Sequence, residues 1–165
     1  MELTELPFGL AGAVFRSAMP YGRHDDEGRL FPLIVAANID LVIPLAPEDD
    51  CRIQTGRDLF GLYRSRGLEV RPFPIVDFDV PTHAQREHFV AAIAGAVTAA
   101  KAGKRLLVHC SAGIGRTGMF LACMATRALG MTGFEATAWV RQHIPGAVET
   151  GDQRELVQWL AERAP

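Results

Sequence analysis

His109-Cys110-Ser111-Ala112-Gly113-Ile114-Gly115-Arg116-Thr117-Gly118 follows the apolar run Leu106-Leu107-Val108 and precedes a stretch suited to a helix. A cysteine and an arginine at this separation alone would arise by chance in roughly one chain in six of this length. Requiring also the leading His, the middle Gly and the hydroxyl after Arg lowers that rate to about a few in a hundred thousand. The string is therefore specific. Its spacing lets the backbone curl so that successive N–H groups face one centre, a nest for a tetrahedral anion. Gly113, Gly115 and Gly118 permit the positive φ and close approach that a curl demands. Unpaired N–H groups at the start of the following helix add partial positive charge at the same centre. Arg116 contributes a planar fork able to hold two phosphate oxygens, which Lys cannot do.

The same field favours the thiolate form of Cys110, the form that acts as a nucleophile. Thr117 can donate its hydroxyl to the sulfur as the sulfur leaves. His109 is expected to orient the loop through hydrogen bonds, because a stabilised thiolate needs no separate base. Ser111, Ala112, Gly113, Ile114 and Gly115, with Arg116, are the expected phosphate-binding residues. The blander readings are a buried Cys acting as a small hydrophobe, a Gly-rich turn that only joins strand to helix, and a Thr that only starts that helix.

Around this string the chain has 165 residues, 48% apolar and 22% charged, with net charge −2. That size suits a single domain spanning residues 1–165 with a real core. The charge balance offers no field for nucleic acid or an anionic membrane, so any phosphate binding is local to the loop. The odd cysteine count suggests no disulfide framework, and a catalytic thiolate favours a reducing compartment. The stretch from Phe8 to Phe15 lacks a basic leader and makes a poor signal peptide, and no apolar run is long enough for a membrane span. A cytoplasmic monomer is the resulting expectation.

Short strands are predicted at residues 13–16, 41–45, 69–74 and 105–109, with Pro44 and Pro72 shortening the middle two. Helices are predicted over 28–38, 57–66, 82–102, 116–129, 133–144 and 151–162. The third carries Thr82 and Gln85 as a capping box, with Phe89, Ile93, Val97 and Ala100 as its apolar stripe. Alternating strands and helices followed by a helical run imply an α/β fold. A central, mostly parallel sheet of short strands would lie between helices as a three-layer sandwich. The motif then falls at the carboxyl end of a strand, where open α/β sheets bind ligands.

Cleaving a phosphate ester also needs a proton donor for the leaving oxygen, and the loop supplies none. The donor must come from a neighbouring segment able to close over the substrate. Asp77, after an apolar strand and beside Phe78 in a Pro-bounded loop, fits that need, and Asp79 in the same turn is the alternative. At these residues the chain resembles the cysteine-dependent protein tyrosine phosphatase superfamily, whose signature is H-C-x-x-G-x-x-R-[ST]. More narrowly, it resembles the small atypical dual-specificity branch. Pro74-Ile75-Val76-Asp77-Phe78-Asp79-Val80-Pro81 is similar to that branch's general-acid loop, and Val148-Glu149-Thr150-Gly151-Asp152-Gln153 to its late E-T-x-x-Q element. Phe15-Arg16-Ser17-Ala18-Met19-Pro20 fits a loop beside the active site more loosely. Val76 replaces the Trp that opens the acid loop in larger tyrosine-specific members.

The resemblance implies a phosphomonoesterase acting on phosphotyrosine, with phosphoserine and phosphothreonine as further substrates, through a cysteinyl-phosphate intermediate. It also implies that Gln153 positions the attacking water, with Asp77 accepting its proton. Thr150 and Gln153 equally read as a capping box for the last helix. No cofactor or metal is expected. The string Gly22-Arg23-His24-Asp25-Asp26-Glu27-Gly28 reads as a solvated loop, and His83, His88 and His143 lack ligand spacing. Cys51 and Cys123 are expected to pack, though a redox link from either to Cys110 stays open. An inositol or lipid phosphate phosphatase is the main alternative function, disfavoured by the uncharged side chains of residues 111–115. A non-catalytic phosphoprotein-binding module and an arsenate reductase are weaker alternatives.

Overall fold

The computed structural model describes residues 2–163. Five strands, β1 (Thr4–Leu6), β2 (Ala13–Ser17), β3 (Leu41–Pro44), β4 (Glu69–Val70) and β5 (Arg105–His109), form one sheet in the order β1-β2-β5-β3-β4. Only β1 runs antiparallel to its neighbour. The strand β5 is central, and Leu106, Leu107 and Val108 are buried on both faces, which explains their continuous apolar run. The expected mostly parallel sheet between helices is present.

One face packs on α1 (Leu30–Ala36), α2 (Glu48–Thr55) and α3 (Leu59–Ser65), around Leu30, Ile34, Leu59, Phe60 and Tyr63. The other packs on α4 (Arg86–Lys101), α5 (Gly115–Leu129), α6 (Gly133–His143) and α7 (Gly151–Ala161). In α4 the stripe Phe89, Ile93, Val97 and Ala100 is buried as its spacing requires. Helix α5 is covered nearly all round, so it carries the motif through the middle of the larger core. Among the described residues, no helix is long and apolar enough to cross a membrane.

Four elements depart from the sequence reading. β1 is too short to show a period, and only pairing with β2 makes it a strand. Helix α2 opens on Glu48, Asp49 and Asp50 with Cys51 as its one buried residue, so it lacks an apolar stripe. The strand expected at 69–74 ends regularly at Val70 because Pro72 and Pro74 cannot donate. It nevertheless continues along β3, with Arg71, Phe73 and Ile75 donating to Val42 (2.9 Å), Pro44 (3.0 Å) and Leu45 (2.8 Å). That extended run delivers residues 75–80 to the end of β5. The expected helix at 82–102 starts with a tight turn, His83–Gln85, before α4. Gln85 accepts from Thr82 N at 2.9 Å and donates to Pro74 O at 3.1 Å, tying the acid loop's two ends together.

Candidate active site

Cys110 sits at the carboxyl end of β5 and Ile114 is the N-cap of α5, so residues 110–114 make the whole strand-to-helix turn. Most carbonyls around this turn are directed to donors outside the curl. His109 O accepts from Leu45 N at 2.8 Å, Ser111 O from Met19 N at 2.9 Å and Ile114 O from Gly118 N at 2.8 Å. Gly113 O accepts from Arg16 Nε at 3.2 Å. No amide of residues 111–116 has a protein acceptor among the described residues. The peptide units are thus turned with oxygen outward and hydrogen inward, which is a nest.

Of the three glycines, only Gly113 needs its conformational freedom, at φ +74°. A Cβ there would also overlap the Ser17 carbonyl. Gly115 and Gly118 are helical and serve close approach instead. A Cβ on Gly118 would lie 2.6 Å from Ala147 Cβ, and one on Gly115 would lie 2.5 Å from Glu149 Oε1.

His109 is fully buried between two partners. Its Nδ1 lies 3.2 Å from Cys110 O and its Nε2 lies 2.9 Å from the Tyr63 hydroxyl. A carbonyl can only accept, so the proton sits on Nδ1 and Tyr63 donates to Nε2. Burial raises the Tyr63 phenol well above its usual range, keeping that donor protonated. Burial also pushes His109 down from 6.5 to about 4, so its imidazole is neutral in the fold at pH 7.

An unfolded chain takes up this proton near pH 6.5, whereas the fold resists it until about 4. The contribution is complete above pH 6.5 and is lost as pH falls through that window, by on the order of 3 kcal/mol. Urea unfolding at pH 7 and pH 4.5 measures it, and His109→Asn should flatten the dependence by the imidazole's share. Identical pH slopes in both proteins would refute the assignment.

Arg116 and Thr117 project from the first turn of α5 and are 2% and 0% exposed. Arg116 Nη1 donates to Ile75 O at 2.9 Å, and Nη2 pairs with Asp77 Oδ1 at 3.0 Å. Arg116 Nε and Thr117 Oγ1 are buried with no partner among the described residues. Buried polar atoms are rarely left so, and both belong to the residues expected to meet phosphate and sulfur. Cys110, Asp77, Phe78 and Arg116 line one cleft of about 430 Å³, together with Ser111, Ala112, Ile114 and Gly115.

The structure separates the two aspartates. Asp77 reaches the cleft, whereas Asp79 Oδ1 accepts from Val80 N at 2.8 Å and lines no part of it. Phe78, with φ +61°, is exposed at the rim. Gln153 does not line the cleft. It is fully buried, its Oε1 accepts from Glu149 N (2.9 Å) and Thr150 N (3.4 Å), and its Nε2 donates to Asp79 O at 3.3 Å. In this arrangement it caps α7 and holds the acid loop from behind.

Several contributors escaped the sequence reading. Gln54 on α2 accepts from Ser111 Oγ at 2.9 Å, and Tyr63 braces the turn as described, whereas Arg16 lies in the stretch expected beside the site. The loop 21–29 is not merely solvated. Asp25 is 5% exposed and accepts from the amides of Tyr21 and Arg29, each at 2.9 Å, and from that of Leu30. That hub presents Arg23 and His24 at the cleft wall. Only the spacing of Asp25 before Leu30 could have hinted at it. Cys51 and Cys123 are buried, free thiols. Burial, with Asp50 adding to it, pushes the Cys51 thiol up to about 11, and burial raises Cys123 further.

Comparison with known proteins decides the family. A family model described as "Polymorphic toxin system, DSP-PTPase phosphatase" matches residues 26–129, which include the whole string 109–118. The chain belongs to this DSP-PTPase phosphatase family. It is similar over its whole length to Tk-PTP in its active form: 30% identity, 99% of this chain, 100% of that one, TM-score 0.77. Kinase associated phosphatase, solved with its catalytic-site cysteine replaced by serine, shares the fold at TM-score 0.84 and 18% identity. That match covers 99% of this chain and 98% of that one. Among curated relatives, dual specificity protein phosphatase CDC14C of Homo sapiens is 46% identical over 52 residues, 32% of this chain. That match spans 12% of the relative's own length. As a DSP-PTPase phosphatase, the chain is a small cysteine-dependent phosphatase of the tyrosine and dual-specificity type.

Proposed function

We propose that this DSP-PTPase phosphatase hydrolyses phosphate monoesters on protein side chains, phosphotyrosine first and phosphoserine and phosphothreonine also, through a phosphocysteine at Cys110. The carrying observation is the set of inward amides of 111–116 around Cys110, with the buried, unpartnered Arg116 Nε and Thr117 Oγ1 beside it. Phosphate oxygens accept from the amides and from Nε and Nη2 of Arg116. Arg116 then exchanges Asp77 for the substrate, and the released carboxyl stands beside the leaving oxygen. Cys110 Sγ attacks phosphorus, the ester P–O bond breaks, and Asp77 gives its proton to the departing oxygen. Water next attacks phosphorus, the S–P bond breaks toward the Thr117 hydroxyl, Asp77 accepts the water's proton, and inorganic phosphate leaves.

Gln153 supports this cycle by holding Asp79 O and the start of α7. Positioning the attacking water would require its carboxamide to exchange that contact. We further propose that residues 1–165 work as one catalytic domain, as a monomer in a reducing cytoplasm, without cofactor or metal and without nucleic-acid or membrane partners.

The second reading is an inositol or lipid phosphate substrate. Arg23 favours it, since it brings a cationic group, with His24 beside it, to a loop whose own residues 111–115 carry none. Turnover of a phosphopeptide panel against phosphoinositides, in chelator and with Cys110→Ser as control, separates the two. Faster release from peptides supports the proposal, faster release from inositides replaces its substrate, and loss of activity in chelator refutes its chemistry.

A further inference from the structure

One wall of the cleft is built from Pro145-Gly146-Ala147-Val148-Glu149, which presses on the first turn of α5. Pro145, Gly146 and Glu149 line the cleft, and Gly118 has no room for a Cβ because Val148 N would lie 3.0 Å away and Ala147 Cβ 2.6 Å away. At the centre of this wall Val148 has φ +57° and is fully buried. A β-branched residue holds that left-handed conformation only where its surroundings over-determine it.

Two side chains do so here. Arg141 on α6 donates from Nε to Ala147 O at 2.8 Å and from Nη2 to Val148 O at 2.9 Å, holding the carbonyls before and after the strained Cα. Gln153 takes the next two amides, of Glu149 and Thr150. Arg141 does not line the cleft. Its whole polar engagement is with the wall.

We infer that Arg141 is a positioning residue for the oxyanion site. Its planar fork keeps Val148 left-handed, and Val148 in turn sets the wall against Gly115 and Gly118, where the phosphate-binding helix begins. The inference rests on the phosphate-binding reading above. Without the fork, Val148 relaxes toward an ordinary φ, and Ala147 and Glu149 shift from the first turn of α5. The amides of Gly115 and Arg116 then lose their aim.

Calorimetric binding of tungstate, a phosphate mimic, tests this without requiring turnover. Arg141→Gln is expected to weaken tungstate about tenfold, the equivalent of releasing one strained backbone conformation. Arg141→Lys, a point charge without the fork, recovers only part of that. Adding Val148→Gly to Arg141→Gln should bring affinity back to within about threefold of wild type, because glycine adopts positive φ without a clamp. Val148→Gly also deletes a fully buried side chain, so the double variant should have a lower Tm than Arg141→Gln while binding tungstate better. A merely structural role for Arg141 predicts the reverse for binding.

Unchanged affinity in Arg141→Gln, or no recovery in the double variant, overturns the inference. Should Arg141→Gln fail to fold, the same comparison is made with Arg141→Lys with and without Val148→Gly. A wild type that binds no tungstate overturns the phosphate-site reading and this inference together. A wild type that binds it, with all variants alike, overturns the clamp alone.

Discussion

Cys110→Ser lowers phosphate release by at least about 10⁴-fold while tungstate binding survives, since the inward amides and Arg116 remain. A serine hydroxyl must lose its proton to attack, and no base stands ready. The imidazole of the adjacent His109 cannot serve, since both its nitrogens are occupied, one by Cys110 O and the other by Tyr63. The loss therefore falls on chemistry and spares binding, and steady-state rates beside calorimetry separate the two. Wild-type protein quenched in mid-turnover should carry phosphorus on Cys110, read by mass spectrometry. Full activity after alkylation of Cys110 would refute the phosphocysteine route.

Asp77→Asn is expected to cost about 10²–10⁴-fold on substrates whose leaving oxygen needs a proton, such as a phosphoserine peptide. With a nitrophenyl ester, which leaves unaided, the loss should be far smaller, and the alkaline limb of the pH–rate profile should flatten. Tungstate affinity should not fall, because Asp77 competes for Arg116 through its 3.0 Å ion pair. Asp79→Asn should stay within a fewfold of wild type, since its carboxylate faces Val80 N. Equal losses on both leaving groups, or the larger effect at position 79, would remove Asp77 from the role of acid.

The string 109–118 was legible because its chemistry is local: nucleophile, nest and guanidinium all lie on one strand-turn-helix unit. The helices α4, α6 and α7 were legible for the same reason, since capping residues are written at or just before the start of each and α4 adds an apolar stripe. For the acid, the sequence favoured Asp77 and kept Asp79 as the alternative. Asp77 and Asp79 share a turn, and only the fold shows which carboxylate meets Arg116. Gln54 on α2 and Tyr63 were silent because each acts on a partner far along the chain. The Asp25 hub is local, but a run of polar residues does not show which carboxylate turns inward onto the amides of Tyr21, Arg29 and Leu30.

By itself, the order of residues determined the strand-turn-helix unit that holds Cys110 and Arg116 together and the alternation of strands and helices, both of which depend on neighbours within about two helical turns. The tertiary structure alone decided which aspartate reaches the cleft, how His109 is protonated, and that Gln153 lies behind the acid loop. It also decided that Arg141 holds a strained Val148 against α5. Those outcomes depend on burial and on hydrogen bonds between segments that meet only when the sheet is assembled. A buried group takes its charge and its partners from whatever the fold packs around it.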